Sequence, residues 1–130
     1  PHAAAQVLAA PVPILSVGYD VTRHCRLDAA TCRAFLARAG RPLAFVAEML
    51  EVFFRHERPE VFFHDPLAAA LLFEPTLCAT RPAQIEVELS PGPQFGRTRP
   101  GAIVSPPRHR VAYSVDVARF FAHYGAVIST

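Results

Sequence analysis

Residues 12–22 of the chain read VPILSVGYDVT, and this stretch decides the fold class. Residues 12–21 are almost continuously apolar rather than alternating, which predicts a strand buried on both faces, as in a parallel sheet. The segment before it, residues 3–10, reads as a short helix of small apolar residues that Pro11 and Pro13 end. A helix followed at once by a buried strand is typical of an α/β fold, so the sequence predicts that class.

Two further helices are predicted between residues 28 and 56. Asp28 is a good N-cap for a helix over residues 29–39, and Gly40 is suited to end it. Pro42 suits the first turn of a longer helix that runs to about His56. The longer helix carries one apolar stripe, typical of an amphipathic helix that packs against other elements. The stripe consists of Phe45, Val46, Met49, Leu50 and Phe53.

The second half of the chain alternates between predicted strands and helices. Residues 61–63 are short, apolar and β-prone, and Asp65 can cap a following helix with Pro66 at its first position. Residues 83–89 alternate between apolar and polar, which predicts a strand with one face in water. A weak strand signal at 102–104 and a clear one at 110–115 predict a β-hairpin or small antiparallel sheet. Asp116 caps a last amphipathic helix over residues 117–128.

The composition is that of a folded single domain. The chain has 130 residues, of which 52% are hydrophobic and 18% are charged, with a formal net charge of +2. This apolar content argues against disorder, and the lack of a dense basic stripe argues against nucleic-acid binding. No stretch reaches the roughly 18 apolar residues of a membrane span, so no membrane partner is expected.

Three cysteines, Cys25, Cys32 and Cys78, form an odd set without C-x-x-C spacing. Such a set fits free thiols in a reducing compartment better than a disulfide framework, so a cytoplasmic location is expected. A zinc site formed by Cys25, Cys32 and His24 is an alternative, but a further ligand at the usual spacing is missing.

His64 and Asp65 stand side by side in FFHDP, residues 62–66. The residue types alone favour a structural helix start at this pair. The wider sequence, however, resembles the nucleoside hydrolases of the inosine/uridine type. Three motifs carry the resemblance in order: VPILSVGYDVT at residues 12–22, HDPLA at residues 64–68, and TRP at residues 80–82 with the strand after it. The resemblance extends from the first residue to about Phe121.

The resemblance implies a partial nucleoside hydrolase fold, an α/β fold with a Rossmann-like mixed sheet and flanking helices. Members of the family are much longer than this chain and open with an aspartate cluster that holds Ca²⁺, and no such cluster occurs here. Residues 1–130 are therefore expected to be the C-terminal portion of such a domain, with the N-terminal half absent. Half a domain exposes a sheet edge and an apolar face, so the missing half or self-association is expected to cover them.

The resemblance also implies a function: hydrolysis of the N-glycosidic bond of a ribonucleoside to ribose and free base. By this resemblance His64 is the general acid for the leaving base, a role that suits histidine because it changes charge near physiological pH. Asp65 corresponds to a Ca²⁺ ligand, while His56 and Val52 correspond to residues that face the base. Calcium takes about six to eight oxygen ligands, so Ca²⁺ is expected only together with the aspartate cluster.

Alternatives stay open at several positions. His56 also reads as a solvent-exposed histidine at the negative end of a helix dipole. Tyr19, Asp20 and Thr22 follow a predicted parallel strand, where the ligand sites of α/β folds gather, but they also read as residues that order a loop. The histidines outside the motifs are read as surface residues: His2, His24, His109 and His123.

A non-enzymatic interpretation competes with hydrolysis. A catalytically inactive remnant, or an assembly module that retains the fold, would carry the same motifs. The missing aspartate cluster favours this alternative for the isolated chain, which is expected to be inactive, whereas the motifs favour an origin in a nucleoside hydrolase.

Overall fold

The computed structural model describes residues 1–38, 43–56, 59–102 and 109–129. The chain divides into two compact units. The first unit consists of residues 1–18 and 80–113, and the second of residues 19–79 and 114–130. Gly40 and Pro42, predicted as a helix end and a helix start, lie outside the described residues.

Helices and strands alternate along the described residues, as the predicted class requires. The helices are α1 (His2–Ala9), α2 (Tyr19–Thr22), α3 (Ala29–Ala37), α4 (Ala44–Arg55), α5 (His64–Ala70) and α6 (Val117–Ile128), and a 3₁₀ turn covers Pro75–Leu77. The strands are β1 (Ile14–Ser16), β2 (Arg26–Asp28), β3 (Glu60–Phe62), β4 (Cys78–Pro82), β5 (Gln84–Val87), β6 (Thr98–Gly101) and β7 (His109–Val115). Within this described part, no helix combines the length and apolar character needed to span a membrane.

Three strands form a sheet in the order β1–β7–β4. β1 and β7 run parallel, with Ile14 opposite His109 and Ser16 opposite Val111. A parallel strand within residues 12–21 is therefore confirmed, but it covers Ile14–Ser16 alone, and Tyr19–Thr22 form α2. The strand predicted at residues 110–115 is confirmed as β7. Of its two predicted settings the small sheet is confirmed, and the hairpin is wrong because β7 lies between β1 and β4.

β4 runs antiparallel to β7, so the sheet is mixed. The amide of Ala83, just after β4, donates to the carbonyl of His109, at the start of β7, over 3.1 Å. The amide of Asp116, just after β7, donates to the carbonyl of Leu77, just before β4, over 2.9 Å. Such pairs join opposite ends of two strands only when the strands run in opposite directions. The predicted α/β class with a mixed sheet and flanking helices is confirmed.

β1 is shorter and less buried than the apolar run predicts. It has three residues, its central Leu15 is 38% exposed, and the two residues beside Leu15 are half-buried. β1 lies at the edge of the three-stranded sheet, where a strand has a neighbour on one side alone. The prediction that this strand is buried on both faces is therefore wrong for the described part of the chain.

The strand predicted at residues 83–89 is confirmed as β5, but its antiparallel partner β6 was not predicted. Gln84 pairs with Gly101 and Val87 with Thr98. β6 reads TRPG, and Pro and Gly are depleted in strands, so sequence patterns underestimate it. The strand signal was placed at residues 102–104, of which 103 and 104 lie outside the described residues.

His109 is 3% exposed, so its prediction as a surface residue is wrong. It is the first residue of β7, the central strand of the β1–β7–β4 sheet. The neighbouring strands on both sides, β1 and β4, shield His109 from water. Its Nδ1 atom is buried without a hydrogen-bond partner among the described residues.

The second unit is organised around aromatic side chains from α3, α5 and α6. Phe63, which directly precedes α5, lies edge-on to Phe35 of α3, with ring centroids 6.3 Å apart. Phe63 also lies edge-on to Phe121 of α6 at 5.1 Å. Phe120 and Leu67 are fully buried beside them. This core fixes the start of α5, the helix that carries His64 and Asp65.

Two predicted helix caps are confirmed in this unit. A carboxylate oxygen of Asp28 accepts from the amide of Thr31 over 2.8 Å at the start of α3. A carboxylate oxygen of Asp116 accepts from the amide of Arg119 over 3.0 Å at the start of α6. Each cap satisfies an amide that has no partner within its helix.

The strand β2 was not predicted, because its sequence RLD has too few apolar residues to give a strand signal. β2 pairs antiparallel with β3, and Leu27 lies opposite Val61. Arg26 and Glu60 form an ion pair of 3.1 Å between these strands. All three cysteines are buried and free, as expected.

The apolar stripe of α4 is only partly covered. None of the residues of this helix is buried; Leu50 and Phe53 are half-buried, whereas Phe45 and Met49 are 69% and 57% exposed. Contacts of Arg33 join α4 to α3. The guanidinium of Arg33 donates to a carboxylate oxygen of Glu51 over 2.9 Å and lies 5.6 Å from the ring centre of Phe54.

Candidate active site

His64 is the first residue of α5 and follows β3 after one residue, Phe63. The amide of Phe63 donates to the carbonyl of Cys25 over 2.8 Å, and its carbonyl accepts from the amide of Leu67 over 3.1 Å. Phe63 thereby ends the strand pairing and begins the helix. Asp65 was predicted as the N-cap; this is wrong, because Phe63 is the N-cap and Asp65 lies in the first turn.

The imidazole of His64 is tied to α2 by one hydrogen bond. Its Nδ1 lies 2.8 Å from the Oγ1 of Thr22. Thr22 is 5% exposed, whereas His64 is half-buried. No hydrogen bond joins the other ring nitrogen, Nε2, to any described residue. One edge of the imidazole is therefore held by the protein, and Nε2 is left for a ligand.

Two aromatic rings flank the imidazole. The ring of Phe62 is parallel to it, with an interplanar angle of 1° and ring centroids 5.4 Å apart. The ring of Tyr19 lies at 38° to it, with centroids 5.6 Å apart. Tyr19 is 68% exposed and Phe62 is 37% exposed, so the cluster opens to solvent. The structure thus gathers one histidine and two partly exposed aromatic rings, a combination that suits a planar ligand.

Asp65 is exposed and faces a groove of about 590 Å³ between α5 and α6. Its carboxylate makes no hydrogen bond or ion pair with a described residue. The groove is mainly apolar, and burial raises the pKa of the Tyr124 hydroxyl that lines it. Its wall also includes Phe73 and His123.

The described residues do not make up a calcium site. No group of three or more His, Cys, Asp or Glu side chains among them is placed to hold a metal ion. Asp65 supplies one carboxylate, whereas Ca²⁺ takes about six to eight oxygen ligands.

His56 and Val52 are not brought to His64 by any contact in the described part of the chain. His56 is the C-cap of α4, with an exposed side chain. Val52, one turn earlier, is 48% exposed. The alternative interpretation of His56, a solvent-exposed histidine at a helix end, agrees with this position. A contact of either residue with a base remains a prediction.

The sequence did not predict the roles of two residues in this cluster. Thr22 was considered either as a ligand-site residue or as a loop-ordering residue, and its hydroxyl is in fact the partner of His64. Phe62 was not singled out. The available signal was its spacing, because residues two apart at the end of a strand point to the same side.

Comparison with known proteins supports the resemblance read from the motifs. The family described as inosine-uridine preferring nucleoside hydrolase matches residues 1–122. The pyrimidine-specific ribonucleoside hydrolase RihA of Salmonella paratyphi B is 32% identical over 95 residues, which cover 68% of this chain and 30% of that protein.

Solved structures agree with this assignment. The purine-preferring ribonucleoside hydrolase from Gardnerella vaginalis matches 99% of this chain and 43% of its own, with a TM-score of 0.83 and 28% identity. The inosine-uridine preferring nucleoside hydrolase from Bacillus anthracis matches 99% of this chain and 40% of its own, with a TM-score of 0.70; at 22% identity it supports the fold alone. The chain thus spans 30% to 43% of the length of these relatives. Since the family match covers nearly all of its length, the chain belongs to the inosine-uridine preferring nucleoside hydrolase family.

Proposed function

We propose that the chain contributes to the hydrolysis of ribonucleosides to ribose and free base, with His64 as the general acid. The observation that carries this proposal is the position of His64. Its motif lies inside the matched residues 1–122, and its imidazole is held at Nδ1 by Thr22 while Nε2 has no partner among the described residues. We further propose that residues 1–130 correspond to the C-terminal portion of a nucleoside hydrolase domain.

In the proposed reaction, the bond between C1′ of the ribose and a nitrogen of the base breaks. The bonding electrons leave with that nitrogen, and His64, as the imidazolium, donates a proton to the base from Nε2 and becomes neutral. The oxygen of water forms a new bond to C1′ and gives up a proton that restores the imidazolium through solvent, so the sum is nucleoside plus water to ribose plus base. Protonation of the leaving group by a positioned acid lowers the barrier to such a bond cleavage, as in glycosidases.

The neighbouring rings have a supporting role in this proposal. The ring of Phe62 is parallel to the imidazole, and we propose that it limits the rotation of His64. Tyr19 presents an exposed ring beside His64, where a flat base would find an aromatic surface. His56 and Val52 are proposed to contact the base when a ribonucleoside is bound.

Asp65 is proposed as one ligand of a calcium ion whose remaining ligands are not among the described residues. The bare carboxylate in the first turn of α5 suits this role, because no described residue engages it. A hard cation would supply polarisation of oxygen atoms in the site. The proposal also places the reaction in the cytoplasm, whose reducing state suits the free cysteines.

Both purine and pyrimidine nucleosides have to be tested as substrates, because the relatives are named for different classes of base. One relative is named for pyrimidine ribonucleosides and another for purine ribonucleosides. Inosine and uridine together sample both classes.

The decisive experiment measures ribose release from inosine and from uridine by the purified chain, with and without Ca²⁺. Release that depends on Ca²⁺, is lost in His64→Ala and is retained in His24→Ala, a matched substitution at a histidine outside the cluster, would support the proposal. Circular dichroism checks that each variant is folded. A folded wild-type chain that releases no ribose under any of these conditions overturns the catalytic proposal for this chain.

A second candidate function is an assembly module, and the exposed face of α4 favours it. Phe45, Met49 and Val52 lie on this helix with 48% to 69% of their surface exposed. Apolar residues repeated along one face of a helix are typical of an interface. The proposed occupant is a second copy of the chain. Light scattering tests it: a mass above that of one chain, reduced by Met49→Glu and unchanged by Glu48→Gln, would support the module, and a single-chain mass in the wild type would rule it out.

A further inference from the structure

We propose that Thr22 is a positioning residue for His64, whose hydroxyl keeps the proton of the neutral imidazole on Nε2 and fixes the plane of the ring. The role in catalysis rests on the proposed function, whereas the hydrogen bond and its effect on the imidazole do not. The starting observation is the 2.8 Å distance between the Oγ1 of Thr22 and the Nδ1 of His64.

The direction of this hydrogen bond follows from burial. Thr22 is 5% exposed, and its hydroxyl has no other hydrogen-bond partner among the described residues. A buried hydroxyl proton without an acceptor is unfavourable, so Thr22 is expected to donate and Nδ1 to accept. An imidazole that accepts at Nδ1 carries its single proton on Nε2. The hydroxyl therefore selects the tautomer in which the nitrogen left for a ligand is the donor.

The same contact restricts the orientation of the ring. The imidazole has two main torsions, and a hydrogen bond at one edge together with a parallel ring on one face leaves little freedom in either. Phe62 supplies that ring, with an interplanar angle of 1°. Thr22 is itself held in α2 by its buried neighbour Val21, which is 2% exposed. The donor atom of His64 is thus placed by two contacts from different segments of the chain.

A hydroxyl is well suited to this task because it is both donor and acceptor. When both ring nitrogens carry a proton, the hydroxyl of Thr22 can rotate and accept from Nδ1. The ring then keeps its position before and after Nε2 gives its proton to the leaving base. A valine at this position would have nearly the same shape and neither function.

The experiment reads the imidazole nitrogens of His64 by ¹⁵N NMR in the full chain, at an alkaline pH above which their signals no longer change. We expect the wild type to show one protonated nitrogen, Nε2, and one unprotonated nitrogen, Nδ1. Thr22→Val should lower the ratio of Nε2–H to Nδ1–H by about fivefold, the equilibrium effect of one ordinary hydrogen bond. Thr22→Ser keeps the hydroxyl and should restore the wild-type ratio.

An unchanged ratio in folded Thr22→Val overturns the proposal, and so does a Thr22→Ser variant that resembles Thr22→Val. If Thr22→Val does not fold, Thr22→Ser and Thr22→Ala provide the same test, because their side chains differ by one oxygen atom. The ratio should then be higher in Thr22→Ser than in Thr22→Ala, and equal ratios overturn the proposal. In the ribose-release assay, Thr22→Val should lower kcat by about fivefold with KM little changed, and Thr22→Ser should restore it. Absence of wild-type activity would remove the proposed function and leave the NMR result to decide on Thr22.

Discussion

The imidazole of His64 and the ring of Phe62 are parallel, with centroids 5.4 Å apart. The two residues are separated by Phe63, which points into the core between α3 and α6. Phe63 thus points into the core, while Phe62 and His64 point outward and form one side of the candidate site at the end of β3. The strand and the core that hold it are therefore part of what orients His64.

Replacing Phe62 should change the magnetic environment of His64. A parallel aromatic ring shifts the proton signals of the imidazole, so Phe62→Leu should move those signals toward the values of a histidine in a peptide, whereas Phe62→Tyr should retain them. Proton NMR of the imidazole measures this. Unmoved signals in Phe62→Leu would contradict the stacked arrangement, and Phe54→Leu on α4 serves as the control.

Replacing Phe120 should destabilise the chain strongly. Phe120 is 0% exposed and its ring lies 5.8 Å from that of Tyr124. Truncation to alanine leaves a cavity, and we expect Phe120→Ala to lower the free energy of unfolding by about 3–5 kcal/mol. Urea denaturation measures it. Phe73, which is 82% exposed, is the matched control, and Phe73→Ala should change the same quantity by at most about 0.5 kcal/mol.

The cap of α3 should make stability depend on acid. Hydrogen bonds from the amide and then the hydroxyl of Thr31 hold the pKa of Asp28 below its ordinary value. The folded pKa is thus below the unfolded one, so the stabilisation is complete above the unfolded pKa of about 3.9 and is lost as pH falls through the folded value. Asparagine also caps helices but does not titrate. The urea midpoint of Asp28→Asn should therefore fall less than that of the wild type between about pH 6 and pH 3, and equal falls would contradict the prediction.

The thiols should be unreactive in the folded chain. Burial, followed by the neighbouring Cys78, raises the pKa of the Cys25 thiol to about 11. Burial also raises the pKa of Cys32 and of Cys78. Because thiolate is the reactive form, a thiol reagent at about pH 8 should label none of the three in the folded chain and all of them in urea. Rapid labelling of a folded chain at one position would contradict this.

The sequence was most informative where a side chain acts on its own backbone. Asp28 and Asp116 cap α3 and α6 because a short side chain with an acceptor oxygen reaches the free amides in the first turn of the helix that follows it. Asp65 has the same residue type before a proline, but Phe63 is the N-cap of α5: its amide donates to the carbonyl of Cys25, and its carbonyl accepts the first helical hydrogen bond from Leu67. The bond to Cys25 is tertiary, and local patterns do not contain it.

The candidate site shows the same limit. His64 and Asp65 were found through their motif, and α5 does present them at its start. The partner of His64 was not found, because Thr22 lies far away in sequence and threonine is ordinary at the end of a strand–helix connection. β2 and β6 were missed for a related reason: their residues, RLD and TRPG, depend on their partners rather than on their own apolar pattern.

The hydrogen bond between Thr22 and His64 spans 42 residues of chain. On a ribosome that adds about 5–20 residues per second, Thr22 emerges about 2–8 s before its partner. During this interval the hydroxyl of Thr22 can form hydrogen bonds to water but not to His64. The orientation of the histidine is consequently among the late events of synthesis, and a newly made chain acquires its donor atom only when two segments made seconds apart have met.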